Sequence, residues 1–138
     1  MTPEYNKPIP IPMNQEVSQP FWDATKRHEL LMPRCKNCSN MFFYPREQCP
    51  NCYSDNTDWV PVTGMGRLYS YTVIYQPANP VFQTETPYIY AIVQLNEGPR
   101  FPTNLVDCDI DSVKIDMRVE VVFEDITNEV TLVKFRPA

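Results

Sequence analysis

Cys35-Lys36-Asn37-Cys38, ten intervening residues, and then Cys49-Pro50-Asn51-Cys52 form the stretch on which the reading of this chain turns. Two Cys-x-x-Cys pairs this close together are a strong metal-site pattern. Each forms a tight knuckle presenting two thiolates, and a short hairpin can bring the knuckles face to face. A four-sulfur cage of this kind suits Zn2+ as a structural ion, with closed tetrahedral coordination and no redox cost. Cys35, Cys38, Cys49 and Cys52 are therefore the expected ligands. The spacing leaves open two disulfides or an iron centre of the same geometry. A ribbon of roughly 25 residues buries little surface, so coordination must supply much of its folding free energy.

Working outward, Met41-Phe42-Phe43-Tyr44-Pro45 reads as an apolar aromatic strand that Pro45 ends or leaves at an edge. Leu30-Leu31-Met32 reads as its partner. Upstream, Val17, Phe21, Ala24, His28 and Leu31 recur at helical spacing, which predicts an amphipathic helix over residues 18–29. Ser18 is the expected N-cap, and Pro20 is tolerated in the first turn. His28 lies on the stripe and is assigned no chemistry. The proline-spaced residues 7–12 should be extended. An arm and a helix too small to bury each other imply contact with the body of the protein or with another one.

After Trp59 the pattern becomes period two, with candidate strands at 59–62, 66–76, 88–96, 100–105, 118–124 and 131–135. Short antiparallel strands with a long first strand suit an OB-like barrel. Residues 77–87 form a long loop carrying exposed apolar side chains, Phe82 among them, and such loops commonly bind something. Cys108 sits between Asp107 and Asp109, whose charges should raise its pKa, so it reads as a packing residue.

Composition narrows the function. The chain has 138 residues with only 3 glycines and 1 histidine, which leaves little for a phosphate-cradling loop or a histidine-based catalytic centre. Gly64-Met65-Gly66 lacks the third glycine of a dinucleotide fingerprint. No apolar run approaches the roughly 20 residues needed to span a bilayer, and the first residues resemble no targeting peptide; a soluble, cytoplasmic protein is expected. The formal net charge is −5, and eight acids against Lys114 and Arg118 fill residues 103–130, which disfavours general binding to nucleic acid. Lys26, Arg27, Arg34, Lys36 and Arg46 surround the cysteines, opposed between residues 24 and 46 by Glu29 alone. They either balance the thiolates or face an anion.

The ordered combination resembles a known family. Its elements are Phe21-Trp22-Asp23, Leu30-Leu31-Met32-Pro33-Arg34-Cys35, Tyr44-Pro45-Arg46, Cys49-Pro50, and Gly64 with Gly66-Arg67-Leu68-Tyr69-Ser70-Tyr71-Thr72-Val73. Further on come Thr103-Asn104-Leu105-Val106, Met117-Arg118-Val119-Glu120-Val121-Val122-Phe123 and Lys134-Phe135-Arg136-Pro137. Over residues 18–138 the chain is similar to DUF35, the zinc-ribbon and OB-fold family associated with acyl-CoA metabolism. It departs from the family at Asp116, where relatives usually carry glycine, and after the knuckles, where Ser39 and Tyr53 stand in place of glycine. The resemblance implies a mainly β fold. An arm and helix at residues 1–32 would precede a rubredoxin-like zinc ribbon at 33–58 and an OB-fold barrel at 59–138. It also implies a non-catalytic scaffold subunit that binds CoA or acyl-CoA and partners a thiolase-fold enzyme. That partner would be acetoacetyl-CoA thiolase with HMG-CoA synthase, or a lipid-transfer-type thiolase. Phosphates favour arginine and lysine, and adenine favours stacking. Arg34, Lys36, Arg46 and Arg67 are therefore candidates for the phosphates, with Tyr44 and Phe82 for apolar contact. A nucleic-acid-binding ribbon and OB-fold module is the alternative.

Overall fold

The apolar stripe upstream of the cysteines folds as a short helix, α1 (Gln19–Lys26), with Ser18 at its N-cap and proline in its first turn. In the computed structural model, which describes residues 6–9 and 16–138, this helix ends earlier than the stripe predicts. Its C-terminus reverses sharply. The amides of Arg27 and His28 donate to the carbonyls of Ala24 and Thr25 at 2.9 Å, and Glu29 reaches back to Ala24 at 3.0 Å. His28 adopts a left-handed φ of 59° and leaves the stripe. Its ring stacks on Phe123 and its Nε2 lies 3.0 Å from the Asp125 carboxylate. Of the expected extended arm, residues 10–12 lie outside the described residues, and Lys7 pairs with Glu85 at 2.9 Å.

β1 (Leu31–Cys35) pairs antiparallel with β2 (Thr57–Pro61). Two expectations are corrected by this sheet. The 30–32 run does not lie along 41–43, which touches β1 through a single Arg34–Met41 bridge, and residues 59–61 join the ribbon's sheet rather than the barrel. Alternation identifies a half-buried strand but carries no information about which strand it pairs with. Here Trp59 falls opposite Pro33, and Val60 opposite Met32.

β3 (Met65–Ile74), β4 (Tyr88–Leu95), β5 (Arg100–Leu105), β6 (Arg118–Asp125) and β7 (Thr131–Pro137) close the OB-fold barrel in the order β3-β4-β5-β7-β6. All neighbours are antiparallel except β5 and β7, which meet in parallel at Leu105 and Phe135. A bulge between Leu68 and Ser70 interrupts the alternation of β3. Leu68 is buried, Tyr69 and Ser70 are both exposed, and Tyr71 turns back to the core. Gly66 sits where β3 is gripped by β4 on one side and β6 on the other, and a Cβ there would run into the Gln94 carbonyl. No helix among the described residues is long and apolar enough to cross a membrane.

One core runs through all of these pieces. Phe21, Leu30 and Met32, from the helix and ribbon side, belong to the same buried cluster as Leu68, Val93, Phe101 and Phe135 of the barrel. Phe43 is the wedge between them, with ring centroids 5.3 Å from Phe21 and 4.6 Å from Phe101. The apolar face of α1 is thus covered within the chain. Phe21 and Ala24 are buried, and each large apolar side chain so buried contributes about 1.5–3 kcal/mol.

The three positions at which the resemblance implies glycine are all left-handed: Ser39 at φ 63°, Tyr53 at 64° and Asp116 at 71°. An L-residue there carries a steric cost of about 1–2 kcal/mol, and Tyr53, 75% exposed, offers little packing in return. Tyr53→Gly should therefore stabilise the zinc-loaded protein by about 0.5–1 kcal/mol in urea unfolding, once the greater freedom of the unfolded chain is deducted. Gly66→Ala should destabilise the protein by about 1–3 kcal/mol, because the β3 and β4 backbones must part.

Candidate functional site

The two knuckles are built alike. In the first, the Cys35 amide donates to the Asn40 carbonyl and the Ser39 amide to the Cys35 carbonyl, both at 2.9 Å. In the second, Cys49 donates to Ser54 at 2.8 Å and Tyr53 to Cys49 at 2.9 Å. The left-handed residue after each second cysteine closes the turn. All four sulfurs then lie within 4.8 Å of one another, with Cys35 and Cys52 at 3.5 Å and Cys38 and Cys49 at 3.6 Å. A tetrahedral zinc with Zn–S bonds of about 2.3 Å holds its sulfurs about 3.8 Å apart, so the cage has the right size. Disulfides need about 2.05 Å; the four thiols are free, and that alternative falls away.

The surroundings favour sulfur as thiolate. The Cys38 amide points at Cys35 Sγ at 3.4 Å, the Asn51 amide at Cys49 Sγ at 3.3 Å, and Asn51 Nδ2 at Cys38 Sγ at 3.5 Å. The Asn51 side chain, and after it the Asn40 backbone, holds the Cys38 thiol down at about 6. Burial pushes Cys49 up, but the amides of Cys52 and Asn51 outweigh it and its pKa is lowered. At Cys52 the Ser54 amide pulls down, yet the neighbouring sulfurs, Cys35 first, push the thiol up to about 12. A cluster whose last thiol resists ionising until positive charge arrives is suited to a cation. Phe42, buried with Cys35 and Cys49, is its apolar floor.

The other residues nominated by sequence do not converge. Arg34 pairs with Asp58 at 3.6 Å, while Lys36 and Arg46 are exposed on the ribbon. Arg67 lies on β3, its Nη1 3.0 Å from the Asp116 carbonyl and 3.8 Å from that residue's carboxylate. Tyr44, 59% exposed, lines a groove of about 430 Å³ between α1, the ribbon and the barrel, walled by Trp22, Phe43, Tyr90 and Pro102. Phe82 lines a neighbouring cavity of about 540 Å³ with Tyr88 and Cys108. Tyr90, Asn104, Leu132 and Lys134 border both. Sequence reasoning passed over Trp22, Tyr90 and Lys134 as binding residues. Tyr90 did carry a signal, since it alternates with the buried Ile89 and Ala91 and so places an aromatic ring on the outer face. The Cys108 thiol is pushed up by burial and then by Asp109 and Asp107, in keeping with a packing role.

Residues 22–58 match the family model described as the ChsH2 rubredoxin-like zinc ribbon domain, and residues 59–124 that of the ChsH2 C-terminal OB-fold domain. A DUF35 domain-containing scaffold protein of Methanothermobacter thermautotrophicus is 39% identical over 118 residues, 85% of this chain and 88% of that protein. A probable enoyl-CoA hydratase alpha subunit of Thermomonospora curvata is 40% identical over 119 residues, 86% of this chain, but the match spans only 37% of that longer protein. The benzoylsuccinyl-CoA thiolase subunit BbsA of Geobacter metallireducens is 35% identical over 88 residues, 64% of this chain and 57% of that subunit. A chain of the solved Ltp2-ChsH2(DUF35) aldolase superposes with a TM-score of 0.81 at 36% identity, covering 92% of this chain and 98% of that one.

Elemental analysis of native protein should find one zinc per chain, and Cys49→Ser with Cys52→Ser should abolish it and unfold the ribbon. Protons compete with metal for thiolates. In the metal-free cage Cys38 is a thiolate above about 6 and is protonated as pH falls through that value, so the metal-free chain should bind zinc progressively more weakly from pH 8 to pH 5, measured by competition with a chromogenic chelator at each pH.

Proposed function

The chain belongs to the DUF35 family of zinc-ribbon and OB-fold proteins, and from that premise we propose that it is a non-catalytic scaffold subunit of an enzyme complex acting on CoA thioesters. Its partner is a thiolase-fold enzyme. The pair acetoacetyl-CoA thiolase and HMG-CoA synthase, or a lipid-transfer-type thiolase, are the candidates. Relatives named as a thiolase subunit, as part of an aldolase and as scaffold proteins support this reading.

The observation that carries it is the division of labour within the fold. The four thiols are consumed by a structural cage, His28 is spent between Phe123 and Asp125, and Cys108 is held protonated. What remains presented to solvent is a recognition surface. Exposed Tyr44 and Tyr90 border an apolar groove, and tyrosines of this kind are common anchors at protein interfaces. The partner supplies the reacting groups, and this subunit holds the partner and the CoA part of the substrate. Of the residues nominated for CoA, Tyr44 and Phe82 would serve the apolar stem. Arg67 on the barrel would serve the phosphates; on the ribbon, Arg34 is already paired with Asp58, and Lys36 and Arg46 do not converge with it.

Affinity capture from native cells, followed by mass spectrometry, tests the scaffold reading. A thiolase-fold or other CoA-thioester enzyme should co-purify in stoichiometric amount, and Tyr44→Ala together with Tyr90→Ala should reduce its recovery at least severalfold. A chain recovered only as a free 16.1 kDa monomer, without such a partner, overturns the proposal.

A further inference from the structure

The strand register assembles a row of arginines that no local stretch of sequence contains. Arg67 on β3 lies directly opposite Arg118 on β6 and, on its other side, opposite Gln94 on β4. Gln94 in turn faces Arg100 on β5. Residues opposite one another in a sheet point to the same face, and the flanking Leu68, Val93, Leu95 and Val119 are buried, so this row lies on the outside of the barrel. All three arginines are exposed. The Arg100 guanidinium lies 3.8 Å over the Tyr69 ring, and its Nε donates to Gln94 Oε1 at 3.0 Å.

Like charges directly opposite on neighbouring strands are destabilising, and this chain has a net charge of −5 with acids to spare. Yet the carboxylates near the row neutralise it only in part. Asp116 reaches Arg67 at 3.8 Å, Glu120 is taken by Arg136 at 3.2 Å, and among the described residues no carboxylate pairs with Arg100 or Arg118. The same outer face continues along β4 to Tyr90 and along β5 to Pro102, where the aromatic groove begins. From Gln94 to Tyr90 is four residues of strand, about 13 Å. One face therefore has a cationic end and an apolar end.

We propose that the row Arg118–Arg67–Arg100, with Tyr69, binds the phosphate groups of an adenine nucleotide ligand, the nucleotide end of CoA being the source that fits the apolar groove beyond it. This rests on the CoA-thioester reading above and deepens it by assigning the phosphates to the barrel rather than to the ribbon. Planar guanidinium groups bind phosphate through paired, charge-assisted hydrogen bonds. Tyr69, 48% exposed and already stacked with Arg100, adds a flat surface for the base.

Calorimetric titration of the zinc-loaded full chain with CoA, adenosine 3′,5′-bisphosphate, pantetheine and inorganic pyrophosphate tests the assignment. CoA and the bisphosphate should bind, with affinity falling as salt rises, and pantetheine should bind far more weakly. Arg67→Gln, Arg100→Gln and Arg118→Gln should each weaken CoA by about tenfold or more. Arg34→Gln and Arg136→Gln should leave it unchanged, and all variants should retain one zinc. Unaltered CoA affinity in an Arg67→Gln, Arg118→Gln double variant overturns the proposal, as does pantetheine matching CoA or pyrophosphate matching the bisphosphate. Arginine variants that lose the captured enzyme while nucleotide affinity is unchanged also overturn it, by assigning the row to an acidic partner surface. A wild-type chain that captures its enzyme but binds no nucleotide overturns this assignment and leaves the scaffold reading standing.

Discussion

Four sulfur atoms within 4.8 Å of one another fix the path of residues 35–52, and that constraint does not stop at the ribbon. The segment between the knuckles has only Phe42 buried among its own cysteines, too little to order it without metal. Structural zinc contributes about 10–16 kcal/mol in comparable small sites, against about 1.5–3 kcal/mol for one buried phenylalanine. Coordination therefore decides whether the segment is ordered at all. Once ordered, it delivers Phe43 to a position 4.6 Å from Phe101 and 5.3 Å from Phe21, and Tyr44 to the rim of the groove. The metal centre is remote from the barrel in sequence and one side chain away from it in space.

That coupling changes how the arm, ribbon and barrel are to be regarded. The helix was expected to need cover from the body or from a partner, and the body provides it: Phe21 and Ala24 are buried, and Thr25 is buried with its hydroxyl donating to the Trp22 carbonyl at 2.7 Å. The helix end is pinned separately, with His28 stacked on Phe123 and bonded to Asp125, whose carboxyl is lowered by the Thr131 hydroxyl and then by His28 itself. A partner consequently meets finished surfaces rather than a loose helix. The surfaces left over are the aromatic groove and the outer face of β3, β4 and β5, both of which need the barrel closed before they exist.

Much of this was legible in the residues themselves. The Cys-x-x-Cys spacing identified the metal ligands because a knuckle is a local turn whose geometry four consecutive residues decide. Period-two alternation located the five barrel strands to within a few residues because burial on one face repeats every second position. Even the departures from glycine at Ser39, Tyr53 and Asp116 corresponded to something physical, since all three carry positive φ. Alternation carries no sign of the bulge that puts both Tyr69 and Ser70 on the exposed side, and it could not say that residues 57–61 pair with 31–35.

Sequence alone therefore determined the cage, the strands and the family, all of which rest on patterns a few residues long. Only the tertiary structure decided what those pieces make together. It split the nominated cations between ribbon and barrel, put Tyr44 beside Trp22 and Tyr90, and aligned Arg67 with Arg118 and Arg100 across four strands. The reason is register. Which residues stand side by side in a closed barrel depends on how far each strand slides against the next, and that is settled by the whole core at once, not by any strand on its own.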